Sequence, residues 1–129
     1  LSPTGTVGWG ALLADETDWG PGFSVRGDHY CRGLFAHAPS SVIVTVPVGF
    51  TTLTGKVGIQ DWVQVCGDGV EFSVWQAGVA LWNSGVVANY QEAVDLGELP
   101  VAAGPVELRA TPNGDYYCDT AAWLDVRVQ

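Results

Sequence analysis

Loop aromatics beside carboxylates are the residues of this chain best suited to chemistry. Trp19 and Trp62 each follow an aspartate in a polar stretch, as Asp18-Trp19 and Asp61-Trp62. Tyr116-Tyr117 form a third aromatic pair, with Asp119 two residues on. Aromatic rings stack on the C–H faces of sugars, and a few fixed polar groups hold the hydroxyls. On that reading Trp62 and Trp19 are stacking platforms, Asp61, Asp119 and His37 hydrogen-bond the ligand, and Tyr116 and Tyr117 form the rim.

Two acidic groups point to a second kind of chemistry. Asp15, Glu16 and Asp18 make one cluster, and Asp115, Asp119 and Asp125 make another. Hard cations want several oxygens, so calcium is the candidate ion, with Asp15 and Asp125 as ligands that could tie the two ends of the chain together. Neither cluster has EF-hand spacing. Catalysis has little to work with: His29 and His37 are the only imidazoles, and no G-x-S-x-G or phosphate-cradling glycine loop is present. His29-x-Cys31 lacks the paired spacing of a zinc site. The expectation is a non-catalytic domain.

Three cysteines allow one disulfide and one thiol. Cys66 and Cys118 lie in loop-like polar segments and Cys31 adjoins a predicted strand, so a Cys66–Cys118 bridge with Cys31 as a buried thiol is expected. A bridge of that span adds about 4 kcal/mol in the chain-entropy model.

The elements that must carry these residues read as strands. Seventeen glycines and seven prolines supply turns to a chain of 129 residues that is 47% hydrophobic. Short segments with period-two alternation recur at Ser24–Tyr30, Leu34–Ala38, Val42–Pro47, Thr52–Ile59, Val70–Gln76, Ala80–Ser84, Glu92–Leu96, Val106–Thr111 and Trp123–Val128. Val70, Phe72 and Val74 share a face, as do Val106, Leu108 and Ala110, and Leu124, Val126 and Val128. Ala77-Gly78 predicts a tight hairpin. This pattern predicts one all-β domain over residues 1–129, an antiparallel β-sandwich. Trp75 and Trp82 are packing residues, and Trp123 caps the core.

Charge narrows the partners. Fourteen acidic residues against five basic ones give a net charge of −9. That disfavours nucleic acid and anionic membrane surfaces and leaves neutral ligands or divalent cations. No apolar run reaches 18 residues and no signal peptide opens the chain. The abrupt start at Leu1-Ser2-Pro3 reads as a domain excised from a larger secreted or extracellular protein.

The run Tyr30-Cys31-Arg32-Gly33-Leu34-Phe35-Ala36-His37-Ala38-Pro39-Ser40 resembles the Y-x-[KR]-G-[IL]-x-x-H-A-P-S signature of the NPCBM family of carbohydrate-binding modules. Gly8-Trp9-Gly10 with Asp15, Gly58-Ile59-Gln60-Asp61, Val70–Gly78 and Asp119–Asp125 are similar to further motifs of that family, in the same order. Gln60, Ala77, Thr120 and Ala122 depart from its pattern. The resemblance implies a jelly-roll sandwich of the galactose-binding-domain type. It also implies a galactoside-type glycan ligand, a linked catalytic domain such as a glycoside hydrolase, and a structural Ca2+. The alternative expectation is a structural sandwich that packs against a neighbouring domain and binds no sugar.

Overall fold

A computed structural model describes residues 3–7, 10–61, 67–114 and 118–129. Within them the chain is strands and turns. One sheet takes β1 (Thr4–Val7), β8 (Ser40–Val46), β14 (Gly104–Pro112), β10 (Val70–Gln76) and β11 (Val79–Val87), in that spatial order. The other takes β12 (Val94–Asp95), β9 (Thr52–Ile59), β15 (Ala121–Val128), β7 (Gly33–Phe35) and β2 (Leu13–Ala14), with β13 (Leu99–Pro100) also on β9. Two small hairpins complete it: β3 (Glu16–Thr17) with β4 (Gly20–Pro21), and β5 (Phe23–Val25) with β6 (Asp28–Tyr30). The described strand pairs are antiparallel.

The core lies between the two large sheets. Val42, Val44 and Val46 of β8, Val106, Leu108 and Ala110 of β14, and Val70, Phe72 and Val74 of β10 supply one wall. Leu53, Val57 and Ile59 of β9 and Ala121 and Trp123 of β15 supply the other. Trp123 is fully buried at the centre, edge-on to Phe72 at 5.3 Å, rather than capping the core. Aromatic edge-to-face packing adds to what burial alone contributes.

A second, smaller cluster sits on the outer face of the second sheet, where Phe23 and Val25 of the β5–β6 hairpin cover Phe35, Ala122 and Leu124. It corrects two expectations. Ser24–Tyr30 is a hairpin and not one strand, because Arg26 and Gly27 adopt φ of 49° and 83° and reverse the chain in two residues. Leu124, Val126 and Val128 do not share a face either. Asp125 has φ of 48° at a bulge between Leu124 and Arg127, and the extra residues shift the phase. Leu124 therefore joins the outer cluster, while Val126 and Val128 pack on the main core. The hairpin expected at Ala77-Gly78 forms, with φ of 51° and 77°.

Cys31 is an exposed free thiol rather than a buried one, since it lies in the bend between β6 and β7 and belongs to neither strand. No described helix is long and apolar enough to cross a membrane.

Gly33 shows how closely the outer cluster approaches the sheet. A Cβ there would collide with the backbone carbonyl of Trp123 and meet the Phe23 ring at 3.1 Å. The carbonyl belongs to the sheet and cannot yield, so Gly33→Ala is expected to cost about 1–3 kcal/mol. Urea unfolding checks this; an unchanged midpoint would contradict the packing described.

Candidate functional site

Strand direction gathers the site. β15 lies between β7 and β9 and is antiparallel to both, so its N-terminal end meets their C-terminal ends. The ladder continues past the strands: Ala36 N–H donates to the Ala121 carbonyl, Ala38 N–H to the Asp119 carbonyl at 3.0 Å, and Gln60 N–H to the Thr120 carbonyl at 2.8 Å. His37, Asp61 and Asp119, far apart in sequence, thereby reach one end of the sandwich. Asn89, just past β11, joins them by donating its side-chain N–H to the Cys118 carbonyl at 3.2 Å.

Alternation along β7 and its extension sends Leu34, Ala36 and Ala38 into the core and Phe35 and His37 to the outer face. The His37 ring lies 5.0 Å from the Phe35 ring at 77°, and its Nε2 is 2.7 Å from Asp18 Oδ2. His37 is buried, while Asp18 keeps about a third of its side chain in solvent. Gly10 roofs the pair. Its φ is +74°, and a Cβ there would come within 3.2 Å of the imidazole. That explains a glycine at this point of the chain.

Asp18 and Trp19 are the two central residues of the β3–β4 turn, in which Thr17 pairs with Gly20. Thr17 Oγ accepts the Trp19 N–H at 3.2 Å and steadies the turn. The indole stands edge-on to Phe35 at 6.1 Å and remains 48% exposed. An aromatic platform is thus held over a layer of Phe35, His37 and Asp18. Asp18 is the acidic group presented to solvent beside that platform. The sequence pairs it with Trp19 as a loop aromatic beside a carboxylate and also counts it in an acidic cluster.

The other expected residues take different parts. Asp61 is committed to the fold: its Oδ2 accepts the Ser24 hydroxyl at 2.8 Å and the Gly27 N–H at 2.9 Å, and its Oδ1 accepts the Arg26 N–H at 2.8 Å. It ties the β5–β6 turn to the end of β9. Asp119 is fully buried, and its backbone carbonyl accepts the Ala38 N–H. Trp62, Tyr116, Tyr117, Cys66 and Asp115 lie outside the described residues. Tyr90, which the sequence reading passed over, is 58% exposed with φ of 58°. Its neighbour Asn89 anchors it beside Cys118; the sequence signal was an aromatic in the polar stretch Ala88–Glu92.

The candidate calcium ligands do come near one another, around Arg32-Gly33. Asp15 Oδ1 accepts the Gly33 N–H at 3.0 Å, and Asp125 N–H donates to the Arg32 carbonyl at 3.0 Å. Both carboxylates face arginines at 3.9 Å: Arg32 for Asp15 and Arg127 for Asp125. Among the described residues no three His, Cys, Asp or Glu side chains converge on a common point.

A family model for the NPCBM/NEW2 domain matches residues 2–129. The structure is similar to a CBM51 module from a Clostridium perfringens GH95 protein in complex with methyl-galactose, with a TM-score of 0.83 and 18% identity over 98% of this chain and 92% of that one. It is also similar to the CBM51-2 and INT domains of Clostridium perfringens ZmpB in complex with GlcNAc (TM-score 0.87, 19% identity, 99% of this chain and 30% of that one). The tandem CBM51 modules of a family 98 glycoside hydrolase from Streptococcus pneumoniae give a TM-score of 0.81 at 15% identity, over 100% of this chain and 45% of that one. This chain thus spans less than half of the last two. No curated protein matches the sequence. At these identities the likeness establishes the fold, a galactose-binding-like sandwich.

The His37–Asp18 pair is expected to matter for the platform and for stability together. His37→Ala leaves Asp18 without this partner and opens a void beside Phe35, for an expected loss of about 1–3 kcal/mol. Denaturant unfolding measures it; a loss indistinguishable from that of an exposed substitution would show that the pair does not brace the turn.

Proposed function

The chain belongs to the NPCBM/NEW2 domain family of non-catalytic carbohydrate-binding modules, and from that premise we propose that it binds a terminal galactose-type or related glycan at the end of the sandwich around Trp19. The observation that carries this reading is the exposed indole of Trp19, fixed on a two-residue turn above Phe35, His37 and Asp18. A sugar ring laid on the indole would place hydroxyls beside the Asp18 carboxylate, a charge-assisted acceptor. Tyr90 would bound the site on the Cys118 side. Trp62, Tyr116 and Tyr117 adjoin Asp61 and Cys118 in sequence and would extend the aromatic surface. Asp61, His37 and Asp119 would act by holding the turns that present these rings.

Binding of one sugar at an open site is weak, because water competes for every exposed hydrogen bond and few contacts are desolvated. Such a module gains its value by tethering. The similar structures include modules attached to a glycoside hydrolase and one in complex with methyl-galactose, which supports a linked catalytic domain and an extracellular setting for this chain too. A second reading, a sandwich that packs on a neighbouring domain, is favoured by one observation: Val48 is 91% exposed beside exposed Phe50 at the opposite end, in the β8–β9 turn.

A disulfide and a metal ion would each support the site. A Cys66–Cys118 disulfide would pin the loop before β15, and the free, exposed Cys31 is in keeping with that pairing. Reductant is then expected to lower the melting temperature, and an unchanged transition would overturn the pairing. A calcium ion would need ligands beyond the described side chains, and its signature would be a rise in melting temperature reversed by chelator.

The test of the function is a glycan array followed by calorimetric titration with methyl galactoside. Wild type is expected to bind galactosides, while Trp19→Ala loses at least about tenfold in affinity, the size expected for one lost stacking contact, with its melting temperature unchanged. Silence across galactosides and other hexose termini would overturn the proposal.

A further inference from the structure

The outer face of the first sheet carries a polar assembly that the loop-end site does not use. Antiparallel register sets Thr6, Ser41, Arg109, Ser73 and Asn83 side by side across all five strands. Arg109 is held between two groups, the Glu107 carboxylate and the Trp75 ring. Its Nε donates to Glu107 Oε2 at 2.7 Å and its Nη2 to Glu107 Oε1 at 3.0 Å. Its guanidinium lies 4.2 Å from the centre of the Trp75 ring, and that indole is fixed in turn by donating to Ser73 Oγ at 2.9 Å. Glu107 Oε2 also accepts the Ser41 hydroxyl at 2.6 Å. The Arg109 hydrogen bonds, with the Ser41 hydroxyl adding and burial opposing, hold the Glu107 carboxyl below the usual range, so it is ionised at neutral pH.

Beside this assembly runs an open groove of about 400 Å³, walled by Thr6 and Val7 of β1, by Pro39, and by Glu107, Arg109 and Thr111 of β14. That volume falls at the small end of ligand sites. Its chemistry is specific. Arginine has five N–H donors and two are spent on Glu107, so the fork still offers donors toward the groove. Glu107 has accepted three hydrogen bonds and retains acceptor capacity on Oε1. Thr6 and Thr111 add hydroxyls at the rim, and Val7 and Pro39 give an apolar wall. The two charges lining the groove cancel, in a chain whose net charge is −9. An anion gains little there, whereas a neutral ring with hydroxyl or acetamido groups on one side and C–H bonds on the other matches donors, acceptor and wall together.

We propose that this groove is a second carbohydrate subsite, which takes one neutral saccharide unit on the sheet face opposite to the Trp19 site. The inference rests on the family's sugar binding but not on the loop-end assignment. Two sites on opposite faces would let one module engage two chains of a branched or clustered glycan, and tethering of that kind raises avidity without tighter single contacts.

Amide and arginine-Nε NMR shifts, followed during titration with N-acetylglucosamine and with methyl galactoside, test it. Shifts are expected at Ser41, Glu107 and Arg109 with at least one of the two sugars, separately from any at Trp19. Arg109→Ala should abolish the sheet-face shifts and spare those at Trp19, and Arg109→Lys, which keeps the charge but not the fork, should weaken them at least about tenfold. Shifts confined to the Trp19 end would overturn the second subsite and leave the proposed function standing. Shifts confined to the sheet face would support the subsite and overturn the loop-end site. Shifts at neither end would overturn both, and sheet-face shifts that survive Arg109→Ala would remove the subsite's chemistry.

Discussion

The position of β15 between β7 and β9 is the constraint on which the rest depends. It pairs with one neighbour through Ala122, Trp123 and Leu124 and with the other along most of its length. Its alternation divides its side chains between two clusters: Trp123 fills the main core and Leu124 the outer one. Because it runs against both neighbours, its first residues stand beside the last residues of each. His37 beyond β7, Asp61 beyond β9 and the buried Asp119 before β15 itself inherit their places from that arrangement.

That scaffold separates residues that hold the site from residues that present it. The charged and polar groups most suggestive in the sequence are largely absorbed by structure. Asp61 satisfies three donors of a hairpin, and His37 is packed on Phe35 with Asp18 against its edge. Buried polar groups need such partners, and satisfying them fixes turn geometry at the same time. The Trp19 indole is left facing water, with the Asp18 carboxylate beside it. Holding an aromatic ring in one orientation before a ligand arrives reduces the ordering that binding would otherwise cost.

Much of the sandwich was legible because period-two alternation is a local signal. Thr52–Ile59 and Val70–Gln76 form with the expected bounds, and Phe35 and His37 do share a face. What the sequence hid was long-range or left-handed. The Asp125 bulge reverses the facing of Leu124 relative to Val126, and no alternation rule anticipates a residue at φ of 48°. The Arg26-Gly27 turn was missed because its stabiliser, Asp61, is 34 residues away from Gly27. The roles of Asp18 and of Gly10 depend on the same kind of distant contact, and two-residue strands such as β3 and β4 are too short to show a period. The outer polar row, from Thr6 to Asn83, exists only in the register of five strands.

The central claim is that a sugar lies on the Trp19 indole, braced from below by Phe35 and the His37–Asp18 pair. A crystal structure of the domain soaked with methyl galactoside tests it most directly. The account predicts the pyranose ring stacked face-on to Trp19 with a hydroxyl within hydrogen-bonding distance of the Asp18 carboxylate. Ordered sugar bound elsewhere, with the Trp19 face left bare, would contradict it.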